Sequence, residues 1–134
     1  MKDSTKASIK VLLAIAVLTA FIVGISLVAQ GILGRTSDDL ARSISGVEAG
    51  TEASDWTSAE KSLEQVRNKW SEINGTWAML IDHQEIDNIE ATLSRMEMFI
   101  SAKDTPSALA ETSALKNYIT HIPSREALNL KNLL

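Results

Sequence analysis

An apolar run close to the N-terminus, Val11 to Leu33, constrains this chain more than any other feature. Between Val11 and Ala29 only Thr19 and Ser26 have polar side chains, and no residue is charged. An α-helix rises about 1.5 Å per residue, so about 20 such residues cross the roughly 30 Å hydrocarbon core of a membrane. The roughly 100 mostly polar residues that follow are too few to enclose this helix on all sides. The run therefore predicts a transmembrane anchor.

A cleaved secretory signal is the alternative interpretation of this run. Signal cores usually contain about 7–15 apolar residues and end at a small-x-small cleavage site. The present run is longer, and its end offers Ala29 without a small residue two positions earlier. A retained anchor is therefore favoured over a cleaved signal.

The charges that flank the run predict its orientation. Three Lys and one Asp lie among the first ten residues, whereas Arg35 on the far side is soon followed by Asp38 and Asp39. Because positive charge is retained on the cytoplasmic side, we expect a cell-membrane protein with its N-terminus inside and its C-terminal domain outside. The expected segments are a cytoplasmic tail (1–10), a single-pass transmembrane anchor (11–33), a stalk with a short helix (34–54) and an extracytoplasmic helical domain (55–134).

Composition excludes several classes of function. Of the 13 Lys/Arg and 17 Asp/Glu in the chain, 10 and 16 lie from Arg35 onward, which gives this part a net charge of −6. Such an acidic domain has no basic stripe for nucleic acid and no polybasic patch for anionic lipid. The chain contains no Cys, so disulfides, thiol catalysis and Cys-ligated metal sites are excluded.

The chain after the anchor shows the period of α-helices. Between residues 56 and 80, apolar residues recur at alternating spacings of three and four, which is a heptad seam. The seam consists of Trp56, Ala59, Leu63, Val66, Trp70, Ile73, Trp77 and Leu80. Either an intermolecular coiled coil or an intrachain stripe covered by another helix would have such a seam. The intrachain interpretation is favoured because three Trp rings suit an irregular core, so a homo-oligomer is not signalled.

Gly and Pro residues predict where the helices end. A break is expected at 46–54, which contains two Gly, and a kink or helix boundary at 74–75. Thr105 is the expected N-cap of a later helix, with Pro106 in its first position. Pro123 is expected to end that helix, because the residue before a proline avoids the α region. The predicted fold is all-α: one N-terminal transmembrane helix followed by a small antiparallel helical bundle or hairpin.

Four polar residues form the candidate site. On one helix, His83, Asp87 and Glu90 have i, i+4, i+7 spacing and share one flank. A hairpin folded about Asp104 places His121, 17 residues after it, opposite Asp87, 17 residues before it. Two imidazoles and two carboxylates suit a divalent metal such as zinc, manganese or iron. They equally suit an acid–base cluster whose charge changes near about pH 6.5.

A purely structural interpretation of these four residues competes with the metal site and with the acid–base cluster. A hydrogen-bonded network that fixes the register of the hairpin needs no metal; it is favoured, and no cofactor is then expected. Arg95 is expected to pair near Glu97 or with an acidic group of the neighbouring helix. Met79, Met96 and Met98 are expected to fill packing gaps. No Ser/His/Asp constellation, lysine nucleophile or phosphate-binding Gly-rich loop is apparent, so an enzyme is not expected.

Several segments of the chain are distinctive. They are WAMLIDHQEIDNIE at 77–90, Arg95, YITHIP at 118–123 and the closing LKNLL at 130–134, together with the spacing of Trp70 and Trp77. In these segments the chain resembles the domain of unknown function 4363 family, whose members are small bacterial proteins with an N-terminal membrane segment. The resemblance implies a partner role beside a second, multi-spanning membrane protein, and it implies no catalytic residue.

The predicted function is that of a membrane-anchored, extracytoplasmic helical accessory or interaction module. Its expected partners are the lipid bilayer and a multi-spanning membrane protein, and nucleic acid is not among them. The alternative is a metal- or pH-responsive sensor domain that uses His83, Asp87, Glu90 and His121.

Overall fold

The computed structural model describes residues 2–133, and for residues 2, 3, 130, 131 and 133 it describes only their place in the helices. These residues form four α-helices. They are α1 (Lys2–Glu52), α2 (Trp56–Leu80), α3 (His83–Ser101) and α4 (Thr105–Leu133). The predicted all-α fold, a long apolar N-terminal helix followed by a helical bundle, is confirmed.

The bundle is a ring of four helices in which successive helices run antiparallel. The second half of α1 packs against α2 and α4, and α3 packs against α4 and α2. The shared core is apolar, with Trp77 as its largest fully buried side chain. Its buried hydrophobic members are Leu33, Leu40, Ile44, Val47, Ala59, Leu63, Val66, Trp70, Trp77, Ile81, Ile89, Leu93, Met96, Ile100, Ala108, Leu115, Ile119 and Ile122.

The first helix continues without a break from the apolar run into the bundle. The break predicted at 46–54 is shorter and later than expected: α1 extends to Glu52, and the turn to α2 covers only residues 53–55. The two glycines instead allow α2 to approach closely. A Cβ on Gly50 would lie 2.7 Å from the backbone nitrogen of Ala59, and one on Gly46 would lie 2.9 Å from Ser62 Oγ. Residues 34–52, the expected stalk, thus contribute a full helix to the bundle.

The second helix carries the heptad seam into the core of the same chain. Five seam residues of α2 are buried, as the intrachain interpretation predicts. The helix passes through 74–75, where a kink or boundary was one expectation, and ends at Leu80 with Ile81 in an extended conformation. Trp70 and Trp77 pack edge to face at 5.7 Å between ring centroids. The indole N–H of Trp77 donates to Thr36 Oγ1 of α1 at 2.9 Å, so this buried polar group is satisfied.

The fourth helix corrects two predictions from the sequence. Its N-cap is Asp104, not Thr105, because the Asp104 carboxylate accepts the backbone N–H of Ser107 at 3.2 Å. Pro123 does not end the helix, which continues to Leu133. A proline inside a helix leaves the carbonyl four residues earlier without its donor. Here that carbonyl, of Ile119, accepts the Ser37 hydroxyl of α1 at 2.6 Å in a buried position.

Candidate functional site

The four predicted site residues lie on the outside of the bundle. His83 is the first residue of α3, directly after the N-cap Asp82. His83, Asp87, Glu90 and His121 are all exposed. Within residues 2–133, no three His, Asp or Glu side chains form a group that could hold a metal ion. The fold therefore does not bring these four residues together in the arrangement that a metal would require.

Glu90 is the member of this set with a described structural contact. Its carboxylate accepts the indole N–H of Trp70, which joins α3 to α2. Trp70 is otherwise buried, at 3% exposure, so the indole nitrogen would lack a partner without this carboxylate. Glu90 thus belongs to a structural contact, although its partner is Trp70 rather than a histidine.

Other polar residues join α3 to α4. Arg125 donates to Glu85 at 2.7 Å, and Arg95 Nε lies 3.0 Å from Glu111. The second pair raises the pKa of the Arg95 guanidinium above its ordinary value, because the neighbouring Glu111 carboxylate stabilises the charged form. Both pairs are centred close to Asp104, in agreement with the predicted hairpin. The partner of Arg95 is an acidic group of the neighbouring helix, one of the two expectations.

The largest exposed apolar surface lies on the first helix. All of its residues from 9 to 22 are exposed, and the same helix then enters the bundle. By length and composition α1 is suited to cross a membrane, and a signal sequence near the N-terminus has the same properties. The large side chains exposed there are Ile9, Val11, Leu12, Leu13, Ile15, Val17, Leu18, Phe21, Ile22, Ile25, Leu27, Val28 and Ile32.

A second apolar surface lies where the bundle meets this helix. Leu80, the last residue of α2, lines an open apolar groove together with residues 20–32 of α1. Met79 and Leu128 lie exposed at this end, at 79% and 59%. Met96 fills a core position as expected, whereas Met79 and Met98 do not pack inside. The sequence offers a weak signal for this surface, because Leu80 is the last residue of the seam and therefore reaches the end of the bundle.

These features define a class of protein: a helical bundle with a long apolar N-terminal helix that is also one of its four core helices. A family described as Domain of unknown function (DUF4363) matches residues 27–133, most of the chain. The chain belongs to this family, and the resemblance noted from its sequence is confirmed. Comparison with curated proteins and with solved structures gave no match.

Proposed function

We propose that this protein is a single-pass membrane protein whose bundle works outside the cytoplasm as an accessory module for a multi-spanning membrane protein. The observation that carries the proposal is the continuity of α1. Its first half is apolar and exposed, and its second half supplies Leu40, Ile44 and Val47 to the core. A rigid helix shared in this way holds the bundle at one height and one rotation above the bilayer.

The apolar half of α1 also favours a partner within the membrane. Lipid can cover this surface, and so can the helices of another membrane protein, because helices associate in bilayers by close packing. The described bundle surface is largely polar and acidic and has no group of metal-ligating side chains. A polar, acidic surface supports a binding role for the bundle.

The orientation is tested by labelling single cysteines, because the chain has no Cys of its own. Ala102→Cys lies in the exposed turn between α3 and α4, and Ser8→Cys lies on the N-terminal side of the apolar run. A membrane-impermeant maleimide is expected to label Ala102→Cys in intact cells and Ser8→Cys only after lysis. The opposite pattern would reverse the orientation. Loss of the Ser8 segment from the mature protein would show cleavage and overturn the anchor.

The partner is tested by photo-crosslinking in the native membrane. A photoreactive residue is placed in turn at Leu13, Val17 and Phe21, which line one face of α1, and at exposed Met98 of the bundle as a control. We expect one integral, multi-spanning membrane protein to be crosslinked from the α1 positions in repeated experiments. Crosslinks to lipid alone from every α1 position would contradict an accessory role within the membrane.

A further inference from the structure

The end of the bundle nearest the apolar half of α1, here called the bundle base, is itself apolar. It comprises Met79 and Leu80 at the end of α2, Leu128 of α4, and the facing residues 25–32 of α1. Met79 and Leu128 are more than half exposed, and Leu80 borders an open groove. Exposed apolar surface of this kind marks a site of interaction with another protein or with a membrane.

The register of α1 and α4 gives the height of the base. The hydrogen bond from Ser37 to the Ile119 carbonyl places these two residues level with each other. Since the helices are antiparallel, Leu128, nine residues further along α4, is level with Val28, nine residues back along α1. The groove that Leu80 shares with Val28 places the end of α2 at the same height.

This height coincides with the end of a membrane span. The last lysine before the apolar run is Lys10, and the helix from Lys10 to Val28 rises about 27 Å. A hydrocarbon core is about 30 Å thick. With Lys10 at one boundary of the membrane, Val28 and the residues level with it lie close to the opposite boundary, which leaves no length of α1 for a stalk, and the last turn of α4 extends past them along α1 toward the membrane.

We propose that the bundle base is a lipid-contacting surface that rests on the leaflet at the bundle's side of the membrane. Met79, Leu80 and Leu128 then lie between the head groups and the acyl chains of that leaflet, and lipid chains fill the groove beside α1. The inference rests on the membrane anchoring proposed above. It extends that proposal, because lipid contact then fixes the tilt of the bundle as well as its distance from the membrane.

Polar side chains also border the base: Gln30 and Glu126 line one cavity together with Met79 and Leu80, and at the depth of the head groups they keep contact with water. Glu85 and Arg125 neutralise each other at 2.7 Å. Ser26, buried on the face of α1 that continues into the bundle, donates to the Ile22 carbonyl of its own helix at 2.9 Å. An internally satisfied hydroxyl is required at this depth, because the hydrocarbon offers no partner. Met79 has an unbranched, flexible side chain that adapts to a disordered environment such as the head-group region.

The test measures the depth of single labelled cysteines in the full chain, reconstituted in phosphatidylcholine vesicles. A fluorophore is attached to Met79→Cys or Leu128→Cys at the base. The matched control is Met98→Cys, a methionine on α3 that is also exposed, at 62%. Leu18→Cys, in the middle of the apolar run, reports on the anchor itself. Nitroxide-bearing lipids quench the fluorophore either near the head groups or near the chain ends.

We expect the head-group nitroxide to quench positions 79 and 128 several-fold more than position 98, and the chain-end nitroxide to quench position 18. Quenching at 79 and 128 no greater than at 98, with position 18 still quenched, would overturn the lipid-contacting base and leave the anchor intact. Absence of quenching at position 18 would overturn the anchor and the base together. Circular dichroism of each labelled variant verifies that the bundle is folded.

Discussion

At the scale of single residues, Pro123 and Ser37 form a pair that the tertiary fold makes compatible. Pro123 removes one N–H from the interior of α4, and the Ser37 hydroxyl occupies the place of that donor on the Ile119 carbonyl. Ser37 is buried, at 4% exposure, so water does not replace it readily. The pair explains why a proline that was expected to end the helix is tolerated near its middle.

Ser37→Ala is expected to destabilise the bundle by about 1–3 kcal/mol, because a buried carbonyl loses its partner. In a Pro123→Ala background the α4 backbone supplies its own N–H, so the same change is expected to cost less than about 1 kcal/mol. A double-mutant cycle, measured by chemical unfolding of the full chain in detergent micelles, gives the coupling. Equal costs in both backgrounds would show that the hydroxyl does not replace the missing donor.

At the scale of elements, α1 and α2 approach each other closely because two glycines lie at their contact. Gly46 and Gly50 are one helical turn apart and both face α2, at Ser62 and Ala59. Gly75 of α2 is also inside a helix, but a Cβ there would have no neighbour within 4 Å. Gly46 and Gly50 therefore differ from Gly75 in how closely a neighbouring helix packs against them, although all three lie within α-helices.

Gly50→Ala is expected to destabilise the protein, because overpacking against the Ala59 backbone costs about 1–3 kcal/mol and outweighs a helix-propensity gain of up to about 1 kcal/mol. Gly75→Ala, the matched control, is expected to stabilise it by about 0.5–1 kcal/mol. Thermal unfolding followed by circular dichroism compares the two variants. Stabilisation by both would mean that α1 and α2 do not approach as closely as described.

At the scale of the whole molecule, an ion pair links each pair of neighbouring helices in the ring. The pairs are Lys69–Asp39 for α1 and α2, Arg67–Glu97 for α2 and α3, Arg95–Glu111 and Arg125–Glu85 for α3 and α4, and Lys116–Glu48 for α4 and α1. Exposed pairs of this kind contribute little stability individually. Their distribution instead favours one arrangement of the helices in an otherwise apolar ring.

The Lys69–Asp39 ion pair at the α1–α2 contact predicts how the stability of the protein changes in acid. The hydrogen bond from Lys69 lowers the pKa of Asp39 below its ordinary value near 3.8. Because the pKa of Asp39 is lowered in the folded state, the stability that its carboxylate contributes is complete above the ordinary pKa. That stability is lost as the pH falls through the lowered pKa. Asp39→Asn is therefore expected to lower stability slightly at neutral pH and to flatten its decline below about pH 4.

The control for this prediction is Asp38→Asn, which removes the same charge from an exposed neighbouring residue. Chemical unfolding of the full chain in micelles, from neutral pH to below the ordinary carboxyl pKa, compares the two variants. An equal effect of both changes would attribute the result to net charge rather than to the Lys69 contact.

The candidate site illustrates what residue spacing can and cannot predict. The i, i+4, i+7 spacing places His83, Asp87 and Glu90 on one flank of a helix, but it does not define the neighbour that this flank meets. One of the two ion pairs between α3 and α4 uses Glu85 and Arg125 instead, and Glu90 faces Trp70 of α2. The rotation of each helix follows from the packing of all four apolar stripes, which no single segment contains.

The sequence by itself determined the features that depend on local periodicity and length. These are the long apolar helix, the buried seam of α2 and the hairpin centred near Asp104, because apolar spacing and chain reversal are properties of continuous segments. Only the tertiary structure decided the role of Pro123 and of the glycines at 46 and 50. The partner of the Ile119 carbonyl lies 82 positions away in the sequence, and the space beside Gly50 is occupied by another helix. Proline and glycine, which break isolated helices, are tolerated here because a neighbouring helix supplies the missing hydrogen-bond donor and occupies the space that a side chain would fill.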